Sequence, residues 1–205
     1  VSYAIFLVLK NEFNFDFKFT KFLAGHSLGE YSALVCSNAI KFNDAIYLLF
    51  ERGKSMQEAV PVGKGKMIAV LGSKIKEVNN LIKQVNIKDA CEIANDNAEG
   101  QIILSGDKES ILIIQKILKE KKIKTIPLKV SAPFHCSLMK PAAHIMKDKI
   151  FKTSFKNSSH QIISNVKAEP ETEANKIKEL LVDQIFSTVR WRESIIYMSK
   201  FGIKN

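Results

Sequence analysis

Cysteine is scarce in this chain. Cys36, Cys91 and Cys136 are the only three among 205 residues. Three scattered thiols supply neither a disulfide framework nor a zinc cluster, so no metal site is expected and a reducing compartment fits best. Long hydrophobic runs are missing too. No stretch of eighteen uncharged apolar residues occurs, which argues against a membrane span. The apolar centre of the N-terminus, Phe6 to Leu9, stops at Lys10 and is too short for a signal-peptide core. Five prolines and nine glycines leave no room for low-complexity linkers, and no internal repeat is visible. Arginine is the rarest charge, with Arg52, Arg190 and Arg192 against 28 lysines.

What is there suits a folded domain. Hydrophobic residues make up 46% and charged residues 25%, enough apolar material for a core. The net charge of +10 raises the question of nucleic acid. Lysine is accompanied by 25 isoleucines and 13 asparagines, the residues that A/T-rich codons supply. No basic run is interleaved with aromatics, so neither a nucleic-acid nor a membrane partner is expected. The chain begins at Val1, and Phe201 to Asn205 interrupts an amphipathic helix, so a piece of a longer protein is expected.

Hydrophobic spacing organises the chain into three parts. Val1 to Lys10 reads as either a helix or a buried strand. A short strand at Lys21 to Gly25 precedes a helix at Glu30 to Asn38. A second helix, Asn43 to Glu58, carries an apolar stripe at Ile46, Leu49, Phe50 and Met56 and could be capped by Asn43 or Asp44. After Pro61, Gly63 and Gly65 the rhythm changes. Strands at Met67–Leu71, Ala90–Asn95, Gln101–Ser105 and Lys124–Val130 alternate with helices at Lys74–Gln84 and Asp107–Lys121, and a turn at Asp96–Gly100 joins the middle two strands. The order βαββαβ is that of a ferredoxin-like unit. From Ser131 come a helix at Pro141–Phe151, a strand at Gln161–Val166, a helix at Ala174–Ile185, and a last helix at Trp191–Phe201 with Ile195, Ile196, Met198 and Phe201 inward. The expected fold is α/β. A parallel-sheet, α/β-hydrolase-like domain from residues 1–63 and 131–205 would carry an inserted ferredoxin-like subdomain at 64–130.

Gly25-His26-Ser27-Leu28-Gly29 is the strongest chemical signal. Gly-x-Ser-x-Gly between a strand and a helix is a nucleophile elbow, whose tight turn needs small neighbours. It puts Ser27 at a helix N-terminus, where unpaired N–H groups, that of Leu28 first, face a developing oxyanion. The hydroxyl needs a base. His26 should project away from Ser27, His144 lies within a helix and His160 in a Ser/Asn-rich loop. His135 stands where a strand gives way to a loop, as catalytic groups of α/β folds do, and is the preferred base. Asp96, Asp107 and Asp183 are possible orienting acids, and none stands out. Cys136 and Trp191 read as packing residues.

The segment from Gly25 to Leu34, GHSLGEYSAL, resembles the active-site signature of malonyl-CoA:acyl-carrier-protein transacylases, whose relatives are the acyltransferase domains of polyketide synthases. Glu51 to Gln57 is similar to that family's arginine helix, and Ala132 to Met139 to its histidine loop. Ser164-Asn165-Val166, Leu181 to Gln184 and Val189-Arg190-Trp191 resemble later family segments, in the family's order. The resemblance implies Ser27 as nucleophile, His135 as general base, and Arg52 as partner of the malonyl carboxylate, for which a planar guanidinium is well suited. It also implies that the backbone carbonyl of Gln184 orients the histidine, with Asn165 in support. Phe134, before the histidine, and Leu28, after the serine, fit the pattern that goes with malonyl rather than a branched acyl group. No counterpart of the family's N-terminal glycine/glutamine-rich oxyanion motif or its C-terminal glycine-rich segment is found in the chain.

The expected activity is therefore that of an acyl-carrier-protein S-malonyltransferase. It moves malonyl from malonyl-CoA to the carrier's phosphopantetheine thiol in fatty-acid synthesis, as a cytoplasmic bacterial monomer without cofactor. An organellar copy, an acyltransferase domain of a larger synthase, a serine esterase or thioesterase, and a non-catalytic domain with a vestigial elbow are the alternatives.

Overall fold

The computed structural model describes residues 1–85 and 90–202. The end of the expected turn at Phe201–Asn205 lies outside the described residues from 203 on. The chain opens with helix α1 (Ser2–Asn11), which resolves the helix-or-strand ambiguity, although none of its residues is buried. Strand β1 (Phe22–Ala24) leads through Ser27 into α2 (Leu28–Cys36), and α3 (Phe42–Glu58) follows. After a central segment the same layer resumes with α6 (Lys140–Lys152), β6 (Gln161–Ile163), β7 (Pro170–Glu171), α7 (Ala174–Gln184) and α8 (Trp191–Ser199).

Strand β1 pairs parallel to β6, with Leu23 opposite Ile162, and β7 pairs antiparallel to β6. This sheet is mixed rather than wholly parallel. The core against it is built from Tyr31, Leu34, Leu48, Met146, Ile150 and Leu181, contributed by α2, α3, α6 and α7. Burial this complete is worth about 1.5–3 kcal/mol for each large apolar side chain.

The central segment comprises β2 (Gly65–Leu71), α4 (Ile75–Gln84), β3 (Cys91–Ala98), β4 (Gln101–Asp107), α5 (Lys108–Glu120) and β5 (Lys124–Pro127). Its four strands form an antiparallel sheet in the order β3-β4-β2-β5. Strand side chains alternate between faces. Ile68 and Val70 pack with Ile111, Ile114 and Leu118 under the helices, while Met67, Ala69, Ala94 and Ile103 pack on the other face. Both faces are covered, and that is why Met67-Ile68-Ala69-Val70 is apolar without a break. Asp107 caps α5, accepting from the N–H of Glu109 at 2.9 Å and of Ser110 at 3.3 Å. Phe134 touches the cores of both sheets.

Strand β3 also reaches the first layer. Val189 N–H donates to the Ala94 carbonyl at 2.8 Å, and Asp96 N–H to the Val189 carbonyl at 3.0 Å. Glu92 accepts from the N–H of Ser137 at 3.0 Å, two residues past His135. The central sheet thereby grips both the loop after α7 and the histidine loop.

Several element details differ from the sequence expectation. The buried face of α3 is Ala45, Leu48, Arg52, Ser55 and Met56, whereas Ile46 and Phe50 are exposed. Lys41 is the residue at the helix start, not Asn43 or Asp44, and it makes no side-chain cap. Helix α8 buries Ser194 and exposes Ile195, Ile196 and Phe201 stands exposed beyond its end. Its apolar positions cluster on consecutive residues, so they cannot all share one face. Strand β3 runs through two bulges to Ala98, which shortens the expected 96–100 turn. Strands β5 and β6 stop at Pro127 and Ile163, short of Val130 and Val166. No helix among the described residues is long and apolar enough to cross a membrane.

Candidate active site

Ser27 sits between β1 and α2 with φ 51° and ψ −109°, a conformation costly for any residue with a side chain. The turn closes only because Gly25 lacks a Cβ, which would fall 2.0 Å from the backbone of Gly29. Asn165, just past β6, holds both sides of the turn. Its Oδ1 accepts the Ser27 N–H at 2.6 Å, and its Nδ2 donates to the Gly25 carbonyl at 2.8 Å. Two otherwise orphaned groups of the elbow are satisfied by one fully buried side chain. Leu28 is the first residue of α2, and its side chain is exposed.

His135 also has positive φ, 57°, and is buried. Its Nε2 lies 2.8 Å from Ser27 Oγ and its Nδ1 lies 2.9 Å from the Gln184 carbonyl. A carbonyl only accepts, so Nδ1 carries the proton and Nε2 is free to accept from the serine hydroxyl. Burial above all, together with the Arg52 charge, lowers the His135 pKa from 6.5 to about 3, against the opposing bond to Gln184. The imidazole is neutral at neutral pH.

Arg52, on the buried face of α3, donates from Nη2 to Ser27 Oγ at 3.0 Å and to Gln184 Oε1 at 3.1 Å. Its Nε is buried and has no hydrogen-bond partner among the described residues. Burial pulls its pKa below the usual arginine range. His135, Arg52, Asn165 and Gln184, from four separate segments, thus meet around Ser27.

The other expected candidates lie elsewhere. His26 turns its Nε2 to Asn97 Oδ1 at 2.8 Å and its ring toward Trp191, His144 is exposed, and His160 bonds the Phe17 carbonyl at 2.8 Å. Asp96 pairs with Arg192 at 2.8 Å, Asp107 caps α5, and Asp183 is exposed on α7. None of the three is the partner of His135. Cys136 is buried, with its thiol on the Pro133 carbonyl at 3.1 Å. Among the described residues no three His, Cys, Asp or Glu side chains come together as metal ligands.

A family model described as the acyl transferase domain matches residues 20–202. The chain belongs to the acyl transferase domain family.

Several relatives and solved structures are similar over most of the chain. The malonyl CoA-acyl carrier protein transacylase of Bacillus subtilis is 44% identical over 184 residues, covering 89% of this chain and 58% of its own length. The corresponding protein of Haemophilus influenzae is 39% identical over 203 residues, 98% of this chain and 64% of its own. Among solved structures, the malonyl CoA-acyl carrier protein transacylase from Coxiella burnetii superposes with a TM-score of 0.94 at 37% identity, over 99% of this chain and 64% of that one. A malonyl-transacylase solved in complex with its type II polyketide synthase acyl-carrier protein gives 0.93 at 36% identity, over 98% of this chain and 65% of that one. The chain spans about three-fifths of the length of the curated relatives it matches.

Within this acyl transferase domain two features escaped the sequence reading. The side chain of Gln184, and not only its carbonyl, enters the site: Nε2 donates to the Ser27 carbonyl at 3.0 Å and to Glu30 Oε2 at 2.7 Å. Glu30 itself is a buried carboxylate that also accepts the Asn165 N–H at 3.1 Å. Burial pushes its pKa up to about 7, against the bonds from Gln184 and Asn165 and the Arg52 charge. Its place in the first turn of α2 reads locally as an ordinary dipole-compensating acid.

Proposed function

We propose that this chain carries the acyl-transfer site of a malonyl-CoA:acyl-carrier-protein transacylase. One observation carries the reading: Ser27 Oγ lies within hydrogen-bond reach of both a neutral histidine and an arginine. A hydrolytic elbow needs the first, and a carboxylate-bearing acyl group calls for the second.

In the first half-reaction the malonyl carboxylate binds Arg52, whose unpartnered Nε is a ready donor. Ser27 Oγ attacks the thioester carbonyl while its proton passes to His135 Nε2. The oxyanion is held by the Leu28 N–H at the start of α2, a kind of donor worth about 3 kcal/mol. The C–S bond breaks, and the proton on His135 leaves with the CoA thiolate. In the second half the carrier's phosphopantetheine thiol gives its proton to His135 and attacks the malonyl-serine ester. The C–O bond breaks and Ser27 recovers its proton. No metal or redox cofactor enters this cycle.

The reading extends to the partner and the architecture. Acyl carrier protein is the acceptor, supported by the relatives' names and by the carrier complex of a structural relative. Phe134 limits room for a branch on the acyl group, a discrimination of about 1–3 kcal/mol. Residues 64–130 form a ferredoxin-like subdomain, supported by their βαββαβ order and antiparallel sheet. Residues 1–63 and 131–205 make an α/β-hydrolase-like catalytic domain, supported by the elbow between β1 and α2.

The test is intact-protein mass spectrometry after brief exposure to malonyl-CoA, with acetyl-CoA in parallel, on this chain and on one extended to the relatives' length. A malonyl-sized adduct on Ser27 that is absent in Ser27→Ala and discharged by holo acyl carrier protein is the expected result. Rapid release of free malonate without a carrier would point to a hydrolase instead.

A further inference from the structure

The residues that hold the reacting groups converge on a carboxylate the mechanism does not use. Glu30 lies three residues past Ser27 and is 2% exposed. Its Oε2 accepts from Gln184 Nε2 and from Asn165 N–H. Gln184 in turn receives His135 Nδ1 on its carbonyl and Arg52 Nη2 on its side-chain oxygen. Asn165 receives the Ser27 N–H. Nucleophile, base and carboxylate-binding arginine each stand one residue away from Glu30.

We propose that Glu30 is a positioning residue whose ionised carboxylate aligns Gln184 and Asn165, and through them His135, Arg52 and Ser27, for acyl transfer. The proposal rests on the acyl-transfer reading above. Its physical basis is the asymmetry of an amide. An ionised carboxylate only accepts, so it draws the NH₂ end of Gln184 toward itself and leaves Oε1 for Arg52. Once protonated, Glu30 presents a donor and the amide gains a reason to turn over. Its NH₂ would then face the guanidinium, two donors against each other. A buried carboxylate is costly to keep charged, and its two charge-assisted bonds offset that cost only while the arrangement is intact.

Burial raises the Glu30 pKa, and the polar groups around it temper that rise. Gln184 comes from α7, Asn165 from the end of β6, Arg52 from α3, and Tyr31 from α2 itself, its own hydroxyl pushed up to about 12 by burial. His135, which senses the same arginine, is pushed the other way, out of the neutral range. Of these two groups it is Glu30, not the base, that changes charge near neutral pH.

The experiment measures the rate of Ser27 labelling by a fluorophosphonate against pH, from about 5.5 to 8.5. This probe phosphonylates the serine oxygen with loss of fluoride and needs no malonyl group. Wild type, Glu30→Gln and Glu30→Ala are compared, with the thermal midpoint and the labelled fraction reporting how much of each is folded. Wild-type labelling is expected to fall as pH drops through about 7. In Glu30→Gln that limb is expected to vanish, with a plateau about tenfold below wild type, the loss of one charge-assisted bond's worth of alignment. Glu30→Ala is expected to lie lower still, and if it does not fold Glu30→Gln decides. A Glu30→Gln enzyme that keeps the same limb, matches the wild-type plateau, or loses rate only in proportion to its unfolded fraction overturns the proposal. So does a wild type that the probe does not label. Labelling without a malonyl adduct in the same wild-type protein overturns the malonyl reading alone and leaves Glu30 to be judged on the labelling rates.

Discussion

His135 points its Nδ1–H at the backbone carbonyl of Gln184, 2.9 Å away. Where a triad would place a carboxylate there is a main-chain dipole. It fixes the imidazole tautomer as an acid would, but it brings no second buried negative charge beside Glu30. The same residue uses its side chain to join Arg52 to Glu30. Substitution at Gln184 therefore separates the two tasks, since the carbonyl survives any side chain. Gln184→Ala is expected to leave the histidine oriented but to orphan a donor of Arg52 and an acceptor of Glu30. At about 1–3 kcal/mol for a buried unpaired group, malonyl-serine formation should slow by about ten- to a hundredfold, read by rapid-quench mass spectrometry. An unchanged rate would mean the amide bridge is idle.

Arg52→Ala is expected to lower the ratio of malonyl to acetyl adduct formation by about a hundredfold or more, because one partner of a desolvated charge pair is removed. Arg52→Lys should restore only part of it, since an ammonium does not present two parallel donors. Parallel acylation rates with the two CoA thioesters check this, and an unaltered ratio would remove Arg52 from carboxylate recognition.

The two glycines of the elbow are expected to behave differently. A Cβ on Gly25 would overlap the Gly29 backbone at 2.0 Å, whereas one on Gly29 meets nothing within 4 Å. Gly25→Ala should abolish labelling of Ser27 or folding itself. Gly29→Ala, inside α2, should raise stability by about 0.5–1 kcal/mol, the usual gain in a helix. Denaturant melts of both variants are the measurement. The requirement for smallness inferred from the motif falls on its first glycine.

Acid and base should act on stability in opposite senses at two sites. The folded state raises Glu30 from 4.5 to about 7, so its contribution is full below about pH 4.5 and disappears as pH rises through 7. The difference in unfolding free energy between wild type and Glu30→Gln is expected to shift by about 3 kcal/mol against wild type across that window. The folded state depresses His135, so its contribution is present above about pH 6.5 and is lost as pH falls toward 3. His135→Gln should flatten that acid limb. Urea melts across the pH range test both, and parallel curves for wild type and variant would refute the assigned shifts.

The chain's net charge of +10 favours an acidic carrier, so the proposed carrier half-reaction is expected to weaken with salt. Rates of malonyl discharge to holo carrier at increasing ionic strength check this, and a flat response would sink it.

Local chemistry was legible in the residues. Gly25 to Gly29 declares its turn because a strained serine needs a neighbour without a Cβ, and the apolar strands of the central sheet are equally local. Helix faces were less so. Ile46 and Phe50 made a plausible inward stripe, yet α3 turns Arg52 and Leu48 inward. Periodicity shows that residues share a face and says nothing about which face meets a neighbour.

What the sequence by itself determined was the elbow and most of the order of elements, and its motifs singled out the serine, histidine and arginine. Tertiary structure alone decided how they meet. The bonds from Ser27 to Asn165, His135 to Gln184 and Glu30 to Gln184 join residues 138, 49 and 154 positions apart. Glu30 shows the reason. One carboxylate in a helix's first turn is solvated or central according to what other segments bring over it, and burial, partners and charge state belong to that assembly rather than to any stretch of chain.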